Sequence, residues 1–192
     1  MISVMRKFMI SAAIFFAAVF SEARDYGSGQ IYFYGADFSE VRVLGAYESE
    51  DYFTKAFIGI NTLFSIESDK YNVSRIFGKT VQQSVDVMVQ QSRNADFSKI
   101  KVNRLEISSR PSEEMIASYE LPHKDGIGVV MIARLLDKNE GLGTYDFVVF
   151  DIATRKVIEE VRATGEAGGS GLRNYWASSA YEIMSDKKLL SR

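Results

Sequence analysis

The run from Gly126 to Leu136 is almost unbroken in apolar side chains: Ile127, Val129, Val130, Met131, Ile132, Ala133, Leu135 and Leu136. A strand with one wet face alternates apolar and polar residues, whereas a strand that is apolar at every step needs cover on both faces. The chain is therefore expected to fold around one central strand in a covered sheet. The downstream residues supply its neighbours. Residues 137–143, with Asn139, Gly141 and Gly143, read as a hairpin loop. Tyr145 to Ile152, with Phe147 to Phe150 at its centre, reads as the returning strand. Residues 153–156 are a tight connection to a third strand, Val157 to Thr164. This meander meets a glycine-rich loop, Gly165 to Gly171, and then a last helix carried by Leu172, Trp176, Ala180 and Ile183. Lys187, Lys188 and Arg192 suit the negative end of that helix's dipole.

The first half is less regular. Ile31 to Tyr34 and Val41 to Leu44 are rich in strand formers and flank residues 35–40, which gives one kinked strand or two short ones. Ser49 is a helix N-cap with Glu50 and Asp51 in the first turn behind it. Phe53, Phe57, Ile60 and Phe64 then recur at helical spacing, so an amphipathic helix is expected over residues 50–66. Gly59 inside it weakens the helix and points to a close backbone contact. Val85, Val87 and Val89 alternate with Ser84, Asp86 and Met88, the pattern of a half-buried strand. Residues 96–107 suit a short helix or a further strand. Pro111 to Glu114 opens a short helix that Leu121 and Pro122 close. Together these elements give an α/β (α+β) fold class: a single domain with a mixed β-sheet of about five strands, helices packed on it, a three-strand meander and a C-terminal helix.

The start of the chain has the order of a secretory signal. Arg6 and Lys7 precede an apolar run from Phe8 to Phe20, and Ser21 and Ala23 are the small residues of a cleavage site. The run is shorter than the roughly 20 residues of a membrane-spanning helix. The expected division is a signal peptide over 1–23, a flexible lead over 24–30 and the α/β domain over 31–192. Removing Arg6, Lys7 and Glu22 leaves 21 basic and 24 acidic residues, a balance that does not favour nucleic acid. The chain has no cysteine, which excludes a disulfide, a zinc–thiolate site, a thiol nucleophile and the lipid attachment of a bacterial lipoprotein. Export to the periplasm or beyond, without a transmembrane segment after cleavage, is the expected destination.

Several stretches resemble a family of uncharacterised exported proteins of Bacteroides-type Gram-negative bacteria. They are Tyr34 to Ser39 with Val41 to Val43, Lys55 to Phe57 with Gly59 to Asn61, Tyr145 to Val157, and above all Gly165 to Ala177. The resemblance implies export and one compact α/β domain, and no particular activity. In element order alone the chain also looks like the α/β domain of TolB-like and curli-assembly envelope proteins, which act as assembly and binding modules; this is an analogy of fold.

Candidate sites are few. The loop before the last helix offers Gly168, Gly169 and Gly171 for close approach of a ligand, a helix start for an anion, and Arg173 and Asn174 beside it. It lacks the Gly-Lys-Ser/Thr ending of a P-loop and the third glycine of a dinucleotide fingerprint, and a turn that needs positive φ explains its glycines equally. Asp37, Asp146 and Asp151 form a carboxylate cluster only if the fold brings them together; singly they are turn or strand-end residues. His123 is the sole histidine, so any zinc site or serine triad would hang on it. Tyr175 and Trp176 suit either a groove or the core, and Tyr26, Tyr32 and Tyr34 either an exposed strip or one packed strand face. Asn72 to Ser74 matches a glycosylation pattern that a bacterial source would leave unused.

These residues point to no catalytic group, no metal and no cofactor. The expected role is a non-catalytic envelope module that binds or helps assemble a protein partner. The alternative is a small-ligand-binding protein or enzyme using the Gly165–Gly171 loop. A third possibility is self-association through a free sheet edge at Val157–Thr164 or Val85–Val89.

Overall fold

The fold is organised around β5 (Ile127–Asp137), whose residues are all buried. The computed structural model describes Tyr26 and residues 29–191. The expected signal segment, and most of the lead, lie outside those residues. On one side β5 pairs antiparallel along its length with β6 (Leu142–Asp151), which pairs antiparallel with β7 (Val157–Glu166). On the other side β5 pairs parallel with β1 (Ile31–Asp37), and then, further along, with β2 (Arg42–Leu44). The two early strands thus share one flank of β5, broken by a turn in which the Val41 amide donates to the Phe38 carbonyl at 3.2 Å. Two short parallel strands, β3 (Val81–Gln83) on β1 and β4 (Lys101–Val102) on β2, complete a mixed sheet of seven strands laid in five ranks.

Alternate residues of β5 face opposite ways, which is why its unbroken apolar run is needed. Val129, Met131 and Ala133 join a core with Phe33, Phe147 and Val149, covered by α1 (Glu50–Ile66) and α5 (Leu172–Ser185). Helix α1 buries Phe53, Phe57, Ile60 and Phe64 at the expected three- and four-residue steps. The Phe57 ring stacks on Phe38 with centroids 4.2 Å apart and planes within 2°. Val130 and Ile132 point to the other face, where Tyr34, Val148 and Phe150 meet Met115 and Ile116 of the short α4 (Ser112–Ala117) and Met88 of α3 (Asp86–Asn94). Among the described residues no helix is long and apolar enough to cross a membrane.

Several local expectations are corrected. The alternating segment Val85–Val89 is the start of α3, and the strand lies just upstream at Val81–Gln83. Val85, Met88 and Ser92 are its buried positions, a helical spacing that the alternating valines obscure. Residues 74–77 form one further helical turn, α2 (Ser74–Phe77). Lys187 and Lys188 lie beyond the last residue of α5 rather than in its final turn, before a 3-10 turn at Leu189–Ser191. Gly59 is explained by a side chain: a Cβ there would sit 2.9 Å from Cδ of Arg173, so the glycine lets that arginine lie across α1.

Candidate functional site

The glycine-rich loop leaves β7 and turns back into α5. Its path is fixed by backbone bonds: the Ala167 amide donates to the Gly141 carbonyl at 2.7 Å, and the Gly168 amide donates to the Tyr175 carbonyl at 3.2 Å and to Ser178 Oγ at 2.5 Å. Gly169 and Gly171 both have positive φ, 100° and 78°, where a side chain would be strained. Gly171 caps α5 with no side-chain acceptor for the first amides.

A cleft of about 390 Å³ opens at this helix start. It is lined by Gly171, Arg173 and Asn174 of the expected set, with Ser170 beside them and Tyr52 and Lys55 of α1 opposite. Gly168 and Gly169 are not in the lining; they shape the turn. Arg173 Nε donates to Asn174 Oδ1 at 3.0 Å, which orients the guanidinium at the rim. Lys55 carries no signal of its own in the sequence, although Tyr52, Lys55, Ala56 and Gly59 fall on one face of α1 at steps of three and four. Two cations and an uncapped helix start can hold an anion. The lining also presents the hydroxyls of Tyr52 and Ser170, and among the described residues it holds no carboxylate or histidine.

The carboxylates expected as a possible cluster are separated in role. Asp37 is fully buried and accepts from Tyr119 Oη at 2.6 Å and from the Ser39 amide at 2.8 Å. Asp151 holds the β6–β7 turn by accepting from the amide and hydroxyl of Thr154, both at 2.7 Å. Asp146 is the centre of a buried ionic network. It receives Arg134 Nε at 2.6 Å and Arg162 through Nε at 2.7 Å and Nη2 at 2.9 Å. Arg134 also donates to the Arg110 carbonyl at 2.6 Å and to Ser112 Oγ at 2.7 Å, and Ser112 donates to Glu160 at 3.0 Å. The register of β5 against β6 shifts between Ala133 and Leu135, so Arg134 sits at an irregularity that turns it into this network. Burial alone would raise the Asp146 carboxyl, but the bonds from Arg162 and Arg134 together hold it below the ordinary carboxylate range. Glu160 is shifted the other way, by burial and by the nearby Asp146 charge, against the bond from Ser112. Among the described residues no group of three or more His, Cys, Asp or Glu could hold a metal ion.

The aromatic candidates are mostly packed. His123 stacks on Tyr32 with centroids 3.6 Å apart, and its Nδ1 lies 3.1 Å from Tyr34 Oη. Tyr34 and Trp176 are fully buried. Tyr26 is half-buried, edge-on to Phe77 with its hydroxyl donating to Glu159 at 2.5 Å. The three early tyrosines therefore do not form one exposed strip. What stays open is the outer rank of the sheet. Among the described residues β7 pairs with β6 alone, and its residues Ile158, Glu160, Arg162, Thr164 and Glu166 are exposed in alternation.

No family model matches this chain, and the search of curated proteins and the search of solved structures each return no match.

Proposed function

We infer that this chain is a non-catalytic binding and assembly module of the cell envelope, working in the periplasm or beyond, and that it takes on its protein partner along β7. The observation that carries the reading is the length of the edge: among the described residues the backbone of Val157–Glu166 pairs on one side only, with β6. A long unpaired edge is a template for strand addition, in which backbone bonds give affinity and alternate side chains give specificity. The signal-like start and the resemblance to exported families support the location. The arrangement of the ionisable groups supports a non-catalytic role: Asp37, Asp146 and Asp151 each accept from structural donors.

The test is retention of an envelope protein on the immobilised chain, compared with the same chain carrying Ile158→Lys and Thr164→Lys, two exposed edge positions. Lysine on an edge blocks pairing without entering the core. Loss of the partner in the double variant is expected. Equal retention by the double variant, or a turnover abolished by one point substitution, would overturn the reading.

A second reading rests on a different observation, the convergence of Lys55 and Arg173 on the cleft at the start of α5. In it the chain binds a small anionic ligand there, in the manner expected of the Gly165–Gly171 loop.

A further inference from the structure

We propose that the occupant of the β7 edge is a second copy of this chain, paired antiparallel about a two-fold axis through Val161 so that two sheets become one. This rests on the reading of β7 as the binding edge. It goes beyond it by naming the partner and the register.

The side chains of β7 select the register. A two-fold axis normal to the sheet keeps each face on its own side, so self-pairing must centre on a residue, and a one-residue slip between centres changes every facing pair. β7 is irregular at Ile158, where Val149 pairs with Glu159 but Phe150 with Val157, so an overlap centred on Val161 is regular from Glu159 to Ala163. Glu160 then faces Arg162 of the second copy and Arg162 faces Glu160. Both charged pairs of this overlap join opposite signs. The neighbouring centres do the reverse. Glu160 at the axis faces itself, Arg162 at the axis faces itself, and Ala163 at the axis sets Glu160 against Glu166. Facing opposite charges stabilise a strand pair and facing like charges destabilise it. Charges on an edge strand ordinarily protect it from its own kind; here their order admits one arrangement and rejects its neighbours.

The same register continues the network inside the protein. Arg134 on β5, Asp146 on β6 and Arg162 on β7 alternate in sign across the sheet. Arg162 keeps a 52% exposed side chain although it is bound to Asp146. Glu160 of the second copy would be the next member of the series. In the single chain Glu160 has Asp146 as a like-charged neighbour, which with burial raises its carboxyl. The facing Arg162 sets a further cation against it.

Sedimentation equilibrium of the purified protein over a wide concentration range reads the dimer directly, and the dimer should weaken with salt. Glu160→Lys sets like charges against the facing Arg162 at two symmetric positions, and urea unfolding checks that the variant keeps its fold. It should raise the dissociation constant on the order of tenfold, with Glu160→Gln, which removes the pair without adding repulsion, falling between. The register is read by cross-linking, which the absence of native cysteine makes clean. Val161→Cys should form a disulfide dimer on mild oxidation. Glu159→Cys and Ala163→Cys should cross-link when mixed but not separately. A monomer at all concentrations would overturn self-pairing while leaving the edge reading to the retention experiment. A dimer indifferent to Glu160→Lys, or self-cross-linking at 159 or 163, would overturn the register.

Discussion

The two faces of the sheet are built on different principles. One is covered by two long helices, α1 and α5, and its contacts are aromatic and aliphatic: Phe38 on Phe57, Phe33 beside Phe64, Trp176 fully buried. The other is covered in part by the short α4 and by Met88 of α3, and beside its apolar cluster it encloses Arg134, Asp146 and Ser112. Non-directional burial supplies stability on the first face. The second face fixes which residue sits opposite which, because each buried charge needs a particular donor at a particular strand position. The uncovered strand lies at the margin of this second face, and its exposed charges extend the buried series outward.

The sharpest way to break the comparison is to remove one member from each face. Asp146→Ala leaves Arg134 buried, with its side chain 3% exposed and its main anionic partner gone; a loss of about 3–5 kcal/mol is expected in urea unfolding. Phe57→Ala should cost about the same, 3–5 kcal/mol, by opening a cavity. The two differ in how they are repaired. Replacing Arg134, Asp146 and Arg162 together by apolar residues of similar volume should recover most of the stability, because a well-packed apolar set can equal a buried ion network. A triple variant no more stable than Asp146→Ala would mean that the network contributes net stability of its own and that the contrast between the faces is wrong.

Acid titration sharpens the same contrast with a smaller effect. The Asp146 carboxyl is held low in the folded chain, so its contribution is complete above the unfolded value near 3.9 and is lost as pH falls through the lower folded value. Glu160 is raised, so the folded chain keeps its proton longer, and stability from this group falls as pH rises from the unfolded value near 4.3 through the folded one. The two slopes oppose each other and give a shallow stability maximum in the acid range for the dilute single chain. Unfolding curves across pH should show Glu160→Gln flattening the upper limb and Asp146→Asn the lower. A profile unchanged by both would remove the ionic account of this face.

The first face is legible in the sequence because its signals are periodic. The run Gly126–Leu136, the four apolar residues of α1 and the set from Leu172 to Ile183 each repeat at the step of their element, and each lies where expected. The second face is not, because its logic is pairing across strands. Nothing local in the sequence says that Asp146 meets Arg134 and Arg162, or that Ser112 meets Glu160. Asn61 shows the same limit: its side chain bonds the amide and carbonyl of Ala36, each at 2.8 Å, beside a bulge opened by Gly35, and only the fold brings those residues together. The valines of α3 mislead for a local reason, since β-branched residues at alternate positions mimic a strand. At the cleft, the glycines and Arg173 stand out by composition, whereas Lys55 lies hidden in an ordinary amphipathic helix.

The smallest expected effect separates the cleft from both faces. The Arg173 stem crosses α1 above Gly59, but its guanidinium contacts only Asn174 among the bonds the fold makes there. Arg173→Ala should therefore change unfolding stability by no more than about 0.5 kcal/mol. If the cleft takes an anion, inorganic phosphate or a small carboxylate should stabilise the wild-type chain in a thermal shift, because a ligand that binds only the folded state raises its melting temperature. The shift should shrink in Arg173→Ala and shrink further when Lys55→Ala is added, while the double lysine variant at positions 158 and 164 keeps it. A stability loss of several kcal/mol in Arg173→Ala would make that arginine part of the α1–α5 core. An anion-dependent shift indifferent to both cations would move the anion site away from this cleft.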